Sequence, residues 1–364
     1  MRRATRIPFV VWYSLSVLLF IEVSLQGFYY VAAGQTLWTR VGRPLYVPNQ
    51  FAGYFNRPYL DLDHNTSEFR SHIYTNSAGF RVPRTGVEYA VEKPPGTSRF
   101  ILLGPSFAFG WGVQDEDSLA ARLTELLGVQ VINAGVPALG AYPALQWYAH
   151  VGRQYRADVV LQVVYGSMTV DRSRSAVTVD EAGYLVPDDP SGRQRLVAVA
   201  KKSALMFYAW TLYTRAFPTP AATTGRAERR LSIGSPFSTD DPEVTEALKY
   251  YDELRRTVRD AGATPVIVHA PSSYTIHRGD VARWRSVGVL GVDEGLVQFD
   301  RDFCEYLTSH ALLCVNVTPA LIEAAATSGE RLYYWLDTHW TKRGNAVAAR
   351  AVADALAHLG FTSH

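Results

Sequence analysis

A hydroxyl, an imidazole and a carboxylate define the chemistry this chain could perform. Ser106 follows a short apolar run, residues 100–103, and the pair Gly104-Pro105. Asp337 and His339 stand two residues apart near the other end, ahead of Trp340 and Thr341. A carboxylate that fixes an imidazole's tautomer, with the other ring nitrogen facing a serine, turns that hydroxyl into a nucleophile for acyl carbonyls. A second apolar run, residues 129–133, ends at Ala134-Gly135, where a backbone N–H could serve as a donor. Singly, each has an ordinary structural reading: a turn serine, a surface Asp/His pair, a glycine at a strand end. Their joint arrangement on predicted strand ends is what points to a nucleophilic site.

The elements that must position them read as an α/β sheet. Residues 100–103 are apolar on both faces and turn sharply at Gly104, as a buried parallel strand does, which places Ser106 where open α/β sheets hold ligands. Asp115 is expected to cap a helix with Leu119, Leu123, Leu126 and Leu127 on one face and Gly128 beyond its last turn. Helix and strand then alternate: helix 141–155, strand 158–165, a helix within 242–261, strand 264–269, helix 295–310, strand 312–317, helix 319–327, and a last helix capped by Thr341. This predicts a three-layer, doubly wound, flavodoxin-like parallel sheet of about five strands. Residues 35–98 read as a β-rich lead-in with extended pieces at 71–76 and 87–91, and 99–364 as the main domain, interrupted by an insertion at 172–242. Within that insertion, residues 196–217 predict an aromatic-rich helix and 217–242 a surface loop.

With these blocks in hand, the chain resembles the SGNH (GDSL-like) hydrolase and acyltransferase superfamily. Gly104-Pro105-Ser106-Phe107 resembles its nucleophile block, Asn133-Ala134-Gly135 its glycine block and Asp337-Thr338-His339-Trp340 its terminal block, the last closest to membrane-anchored alginate O-acetyltransferase-like members. Residues 74–81, with Asn76, Gly79, Phe80 and Arg81, resemble a segment preceding the nucleophile in anchored relatives. The resemblance implies a Ser106/His339/Asp337 triad and an oxyanion hole from the N–H groups of Ser106 and Gly135 with the side chain of Ser167. It implies no cofactor and no metal, an acyl donor and an extracytoplasmic glycan as substrates, and esterase or O-acetyltransferase chemistry through an acyl-enzyme. Two departures stand out: Pro105 where the family usually has Asp, and Ser167 where it has Asn. They keep open a second class, a catalytically weak or inactive SGNH-like domain acting as a docking subunit of a membrane complex.

Residues 1–34 form the non-globular part. Arg2, Arg3 and Arg6 precede a long apolar run from residue 8, broken by serines and Glu22. Its length and positive flank predict one transmembrane helix, contacting the lipid bilayer through residues 8–33. The chain then crosses the bacterial cytoplasmic membrane once, with its N-terminus in the cytoplasm and the main domain in the periplasm or outside. Val31-Ala32-Ala33 supports the competing reading of a signal-peptidase site. Glu22 within such a span calls for a partner, and an integral membrane protein is one expectation. A formal net charge of +2 over 364 residues gives no basis for nucleic-acid binding. Cys304 and Cys314 allow a disulfide or two buried thiols.

Overall fold

The computed structural model describes residues 6–33, 36–38, 44–66, 68–166, 168–170, 177–180, 183–187, 200, 202–216, 237–280, 294–335, 337–358 and 360–361. The predicted loop at 217–242 is therefore described only from residue 237 onwards, and Ser167 lies outside the described residues.

The strands are β1 (Tyr46–Asn49), β2 (Gly53–Asn56), β3 (Asp61–Asn65), β4 (Arg70–Thr75), β5 (Arg81–Val82), β6 (Arg99–Leu103), β7 (Gln130–Asn133), β8 (Val159–Tyr165), β9 (Val177–Val179), β10 (Leu185–Pro187), β11 (Thr264–Ala270) and β12 (Leu313–Asn316). The main sheet runs in the order β12-β11-β8-β6-β7-β5-β4-β3. Its first five members are mutually parallel. In chain order they give the flavodoxin-like arrangement expected from the sequence, with the topological switch between β6 and β8. The expected count of about five strands is too low. Strands β3, β4 and β5 of the lead-in pair antiparallel and join the sheet beside β7, where Arg81 sits opposite Asn133, making eight. Residues 87–91, expected to be extended, form no strand.

Both faces of the parallel strands are buried. Ile101 and Leu103 of β6 enter a core covered by α4 (Ala141–His150), α6 (Pro242–Asp260) and α8 (Glu294–Ser309). Phe100 and Leu102 enter a second core covered by α3 (Leu119–Leu127), the short α7 (Ser273–Ile276), α9 (Thr318–Thr327) and α10 (Lys342–Ala357). Complete burial of such side chains contributes about 1.5–3 kcal/mol each, which is why these strands read as continuous apolar runs. Helix α3 is capped by Ser118, whose hydroxyl accepts from the Ala121 N–H, and not by the expected Asp115, which opens a 3-10 turn one step earlier. Thr341 caps α10 as expected, accepting from the Gly344 N–H. Cys304 of α8 and Cys314 of β12 are bonded.

Helix α1 (Arg6–Ala33) holds an apolar stretch of 23 residues, Phe9–Val31, long enough to cross a bilayer, as an anchor or a signal sequence would be. Helix α5 (Ala204–Ala216) of the insertion lies against it.

Gly104 closes β6 at φ +137°, and a Cβ there would come within 2.8 Å of the Val163 carbonyl oxygen of the neighbouring β8. Gly104→Ala should lower the unfolding free energy by roughly 2–4 kcal/mol, read from the urea midpoint; an unchanged midpoint would mean the switch point is looser than described.

Candidate active site

The sheet order and the C-terminal loop bring Ser106 together with Asp337 and His339, more than two hundred positions away. Ser106 is the first residue of α2 (Ser106–Phe109), a single turn begun by Pro105 in extended conformation. The Pro105 carbonyl accepts from the N–H groups of Ala108 and Phe109 at 3.0 and 3.1 Å, so proline's missing donor costs this turn no bond. His339 Nε2 is 2.6 Å from Ser106 Oγ, and His339 Nδ1 is 2.6 Å from Asp337 Oδ1. A carboxylate can only accept, so Nδ1 carries the proton and Nε2 is left to accept from the serine hydroxyl.

Asp337 and His339 meet across a tight turn. Thr338, between them, adopts φ +70°, and the loop closes through Thr338 N–H to the Tyr334 carbonyl (3.2 Å) and Tyr334 N–H to the His339 carbonyl (2.9 Å). A β-branched residue in the left-handed region costs of the order of 1–3 kcal/mol, strain that the surrounding contacts must hold. The holding groups come largely from the lead-in. Glu68 accepts the Asp337 backbone N–H at 2.7 Å, and the Trp111 indole N–H donates to Asp337 Oδ2 at 3.3 Å. His64 of β3 packs on Trp111 with ring centroids 4.1 Å apart, and Phe69 packs on Tyr334 at 5.0 Å. Burial pushes the Asp337 carboxyl up, but the hydrogen bond and charge interaction with His339, together with the Trp111 N–H, outweigh it and hold it below the ordinary carboxylate value. Phe107 underlies the imidazole at 4.9 Å and stacks on Tyr165 at 4.4 Å.

The motif at residues 74–81 acquires a function in this geometry. Asn76 Oδ1 accepts from the N–H groups of Ala78 and Phe80, both at 3.0 Å, which folds the turn. Gly79 has φ +79°, and a Cβ there would meet the Asn56 carbonyl oxygen at 2.5 Å, so only glycine fits. Phe80 fills the core against Trp147. Arg81, 1% exposed, donates to the carbonyls of Phe109 (3.0 Å), Gly110 and Val113 (2.6 Å), with Asp115 at 3.6 Å. It thus clamps the loop that follows Ser106. Asn56 adds a bond to the Gly135 carbonyl at 2.8 Å. None of Glu68, Trp111, Arg81 or Asn56 was singled out as a site residue from sequence; an arginine in an otherwise apolar stretch was the one local signal.

The expected oxyanion donors fare differently. Among the described residues, no hydrogen bond is made by the Ser106 N–H. The Gly135 N–H is already given to Asn133 Oδ1 at 3.1 Å, and Gly135 packs so tightly on α2 that a Cβ would lie 2.4 Å from the Phe109 nitrogen. Gly135 is therefore not the free donor expected, because the asparagine two residues earlier folds back on it. His269 is a buried structural histidine, Nε2 on the Gly166 carbonyl at 2.8 Å and Nδ1 on Asn316 Oδ1 at 3.2 Å. Among the described residues no cluster of His, Cys, Asp and Glu could hold a metal ion.

Comparison with known proteins follows this geometry. Residues 235–363 match the family model of the SGNH hydrolase-like domain of the acetyltransferase AlgX. No curated protein matches the chain. Among solved structures, it is similar to a protein assigned to the lipolytic G-D-S-L family from Desulfitobacterium hafniense, at 13% identity over 71% of this chain and 99% of that one, TM-score 0.40. It is also similar to a G-D-S-L family lipolytic protein from Veillonella parvula, at 10% identity over 72% and 99%, TM-score 0.37. A two-domain esterase active on acetylated mannans is 12% identical over 74% of this chain and 51% of that one, TM-score 0.36. These three are distant likenesses on which no functional argument rests.

Two outcomes follow from the clamp and the carboxylate. Arg81→Met leaves the Val113 carbonyl without a donor, while the Phe109 and Gly110 carbonyls keep the Asn133 amide at 3.2 Å and the Val113 N–H at 3.4 Å; the variant should lose about 1–3 kcal/mol of stability in urea, whereas Arg70→Met, on the exposed side of β4, should not. Because the Asp337 pKa is depressed on folding, its contribution is complete above the ordinary carboxylate value and lost as pH falls below that value through its folded pKa. Asp337→Asn should therefore destabilise at neutral pH, and the difference from the parent should shrink in strong acid; a difference constant across pH would contradict this. The segment matched to the model of the SGNH hydrolase-like domain, residues 235–363, holds Asp337 and His339 of this constellation, and Ser106 lies outside it.

Proposed function

We propose that the chain is a membrane-anchored, serine-dependent carbohydrate esterase or O-acetyltransferase that acts on an extracytoplasmic glycan through an acyl-enzyme. The observation that carries this reading is the continuous Asp337–His339–Ser106 relay, both links 2.6 Å. The family match supports acyl chemistry.

In the first step the Ser106 hydroxyl gives its proton to His339 Nε2 while Oγ forms a bond to the ester carbonyl carbon. The imidazolium, held by Asp337, returns that proton to the departing alkoxide as the acyl–oxygen bond breaks, leaving acyl-Ser106 and neutral His339. A water or a sugar hydroxyl then gives its proton to His339 as its oxygen bonds to the acyl carbon, and the bond from that carbon to Ser106 Oγ breaks as Oγ takes the proton back from His339. The Ser106 N–H receives the negative oxygen of each tetrahedral intermediate. Gly135 joins by exchanging Asn133 Oδ1 for that oxygen, and Ser167 is the third proposed donor. One donor is worth about 3–4 kcal/mol of transition-state stabilisation, so a hole that relies on Ser106 alone predicts a slow esterase.

Retention of α1 as an anchor is supported by its contacts. Glu22 accepts from the N–H groups of Ala204 and Leu205 and from the Ser203 hydroxyl, and Gln26 accepts from the Leu37 N–H. Cleavage after Ala33 would strip these partners from the main domain. The same contacts give Glu22 a partner within its own chain and remove the reason for invoking a second membrane protein at that position. An anchor with this orientation places the main domain outside the cytoplasm.

Purified full-length protein in detergent should hydrolyse p-nitrophenyl acetate, and Ser106→Ala and His339→Ala should each lower the rate by at least about a thousandfold. Equal rates in all three would overturn the esterase reading and favour the docking subunit.

A further inference from the structure

The insertion helix α5 has an unassigned apolar surface, and its position relative to α1 says what covers it. Its N-terminus is tied to the anchor by a compact polar knot. Glu22 Oε1 accepts from the Gln26 amide and the Ala204 N–H, each at 2.8 Å, while Oε2 accepts from the Ser203 hydroxyl at 2.8 Å and the Leu205 N–H at 2.9 Å. The Gln26 amide also donates to the Lys202 carbonyl at 2.8 Å. A carboxylate of α1 thus caps α5, satisfying two of the orphan N–H groups of its first turn and complementing its dipole.

Further along, Phe207 meets Tyr29 at 5.8 Å and Tyr208 meets Phe28 at 6.1 Å. The pairings advance together, residues 203–205 with Glu22 and 207–208 with 28–29, so the two helices run side by side in the same direction. The face of α5 turned away from α1 carries Met206 and Leu212, 56% and 64% exposed, with Ala209 between them on the same stripe.

The depth of Glu22 decides the environment of that stripe. At about 1.5 Å per residue, Glu22 lies about 24 Å along the helix from Arg6. With the arginines at the inner headgroups and a hydrocarbon core roughly 30 Å thick, the knot sits inside the outer leaflet. An isolated carboxylate there is costly, whereas one with every lone-pair direction used by N–H and O–H donors is tolerated. Lys202, exposed and one residue before the knot, is long enough to extend its ammonium to the phosphate region.

We infer that α5 is a second membrane-embedded helix, entering the outer leaflet beside α1 with Met206 against lipid acyl chains and Leu212 nearer the headgroups. The occupant of the apolar stripe is lipid, because the depth of Glu22 sets the first turn of α5 in the outer leaflet and the apolar stretch of α1 beside it is almost wholly exposed in the folded chain. Two helices joined by a part-buried cap hold the main domain in one orientation, which sets the height of Ser106 above the bilayer. The inference rests on the anchored reading of α1.

The test uses full-length protein reconstituted into phospholipid vesicles. Single cysteines replace Phe20, Met206, Leu212 or Lys249 and are labelled with an environment-sensitive fluorophore, with folding checked by circular dichroism. Nitroxide groups on the lipid acyl chains should quench the label at 206 strongly, that at 212 less, and that at 249 not at all. Aqueous iodide should quench 249 severalfold more than 206. Adding Glu22→Ala to the Met206→Cys variant should release α5, reducing lipid quenching and raising iodide quenching at 206. Lipid quenching at Phe20→Cys with free iodide access at 206 would overturn the inference while leaving the anchor intact. A label at 206 shielded from both quenchers would mean that a second copy of the chain covers the stripe, which also overturns it. No lipid quenching at Phe20→Cys would remove the anchored reading and this inference together.

Discussion

A single buried cation holds the surroundings of Ser106 in place. Arg81 is 1% exposed, and its two terminal nitrogens donate to backbone carbonyls of the loop that follows Ser106, while Nε faces Asp115 at 3.6 Å without a hydrogen bond. A charge taken out of water is costly unless it is paired and hydrogen-bonded, so the loop cannot move away without stranding it. That reciprocal constraint fixes α2, and α2 fixes Ser106. It also explains why the lead-in strands are part of the same sheet. Strand β5 is two residues long, yet it carries Arg81 to the edge of β7, directly opposite Asn133, the residue whose side chain holds Gly135.

The second half of the site is held by the same lead-in. Asp337 and His339 belong to a strained turn, with Thr338 in the left-handed region, and such strain persists only where neighbours over-determine it. Glu68, Trp111, His64 and Phe69 supply that surrounding, three of them from residues 64–69. The arrangement gives Asp337 two hydrogen-bond donors besides its own backbone bond, which keeps it ionised and keeps the His339 Nδ1 proton directed at it. The serine then faces the basic nitrogen of the ring.

Much of this was legible in the sequence, and the remainder was hidden for identifiable reasons. Apolar runs ending in glycine revealed β6, β7 and β8, because strands buried on both faces have no alternation to disguise them. The order of the Ser106, Gly135 and Asp337/His339 blocks pointed to the Asp337–His339–Ser106 relay that the fold brings together. What local pattern could not carry was long-range pairing. The three lead-in strands join the sheet through partners set by tertiary fit, and Glu22 finds its acceptor role with residues 203–205, some 181 positions away. Asp115 looked like a cap, but Ser118 lies closer to the first helical turn, and Asp115 faces Arg81 instead. Gly135 looked like a free donor since nothing in a glycine's identity shows that the preceding asparagine folds back on its N–H.

The central claim is that Ser106 is a nucleophile activated by His339. Full-length protein should be treated with a fluorophosphonate, weighed intact and digested. The account predicts one phosphonate adduct per chain, on the peptide containing Ser106, and none in His339→Ala over the same interval. An unmodified protein, or an adduct on any other residue, would contradict it.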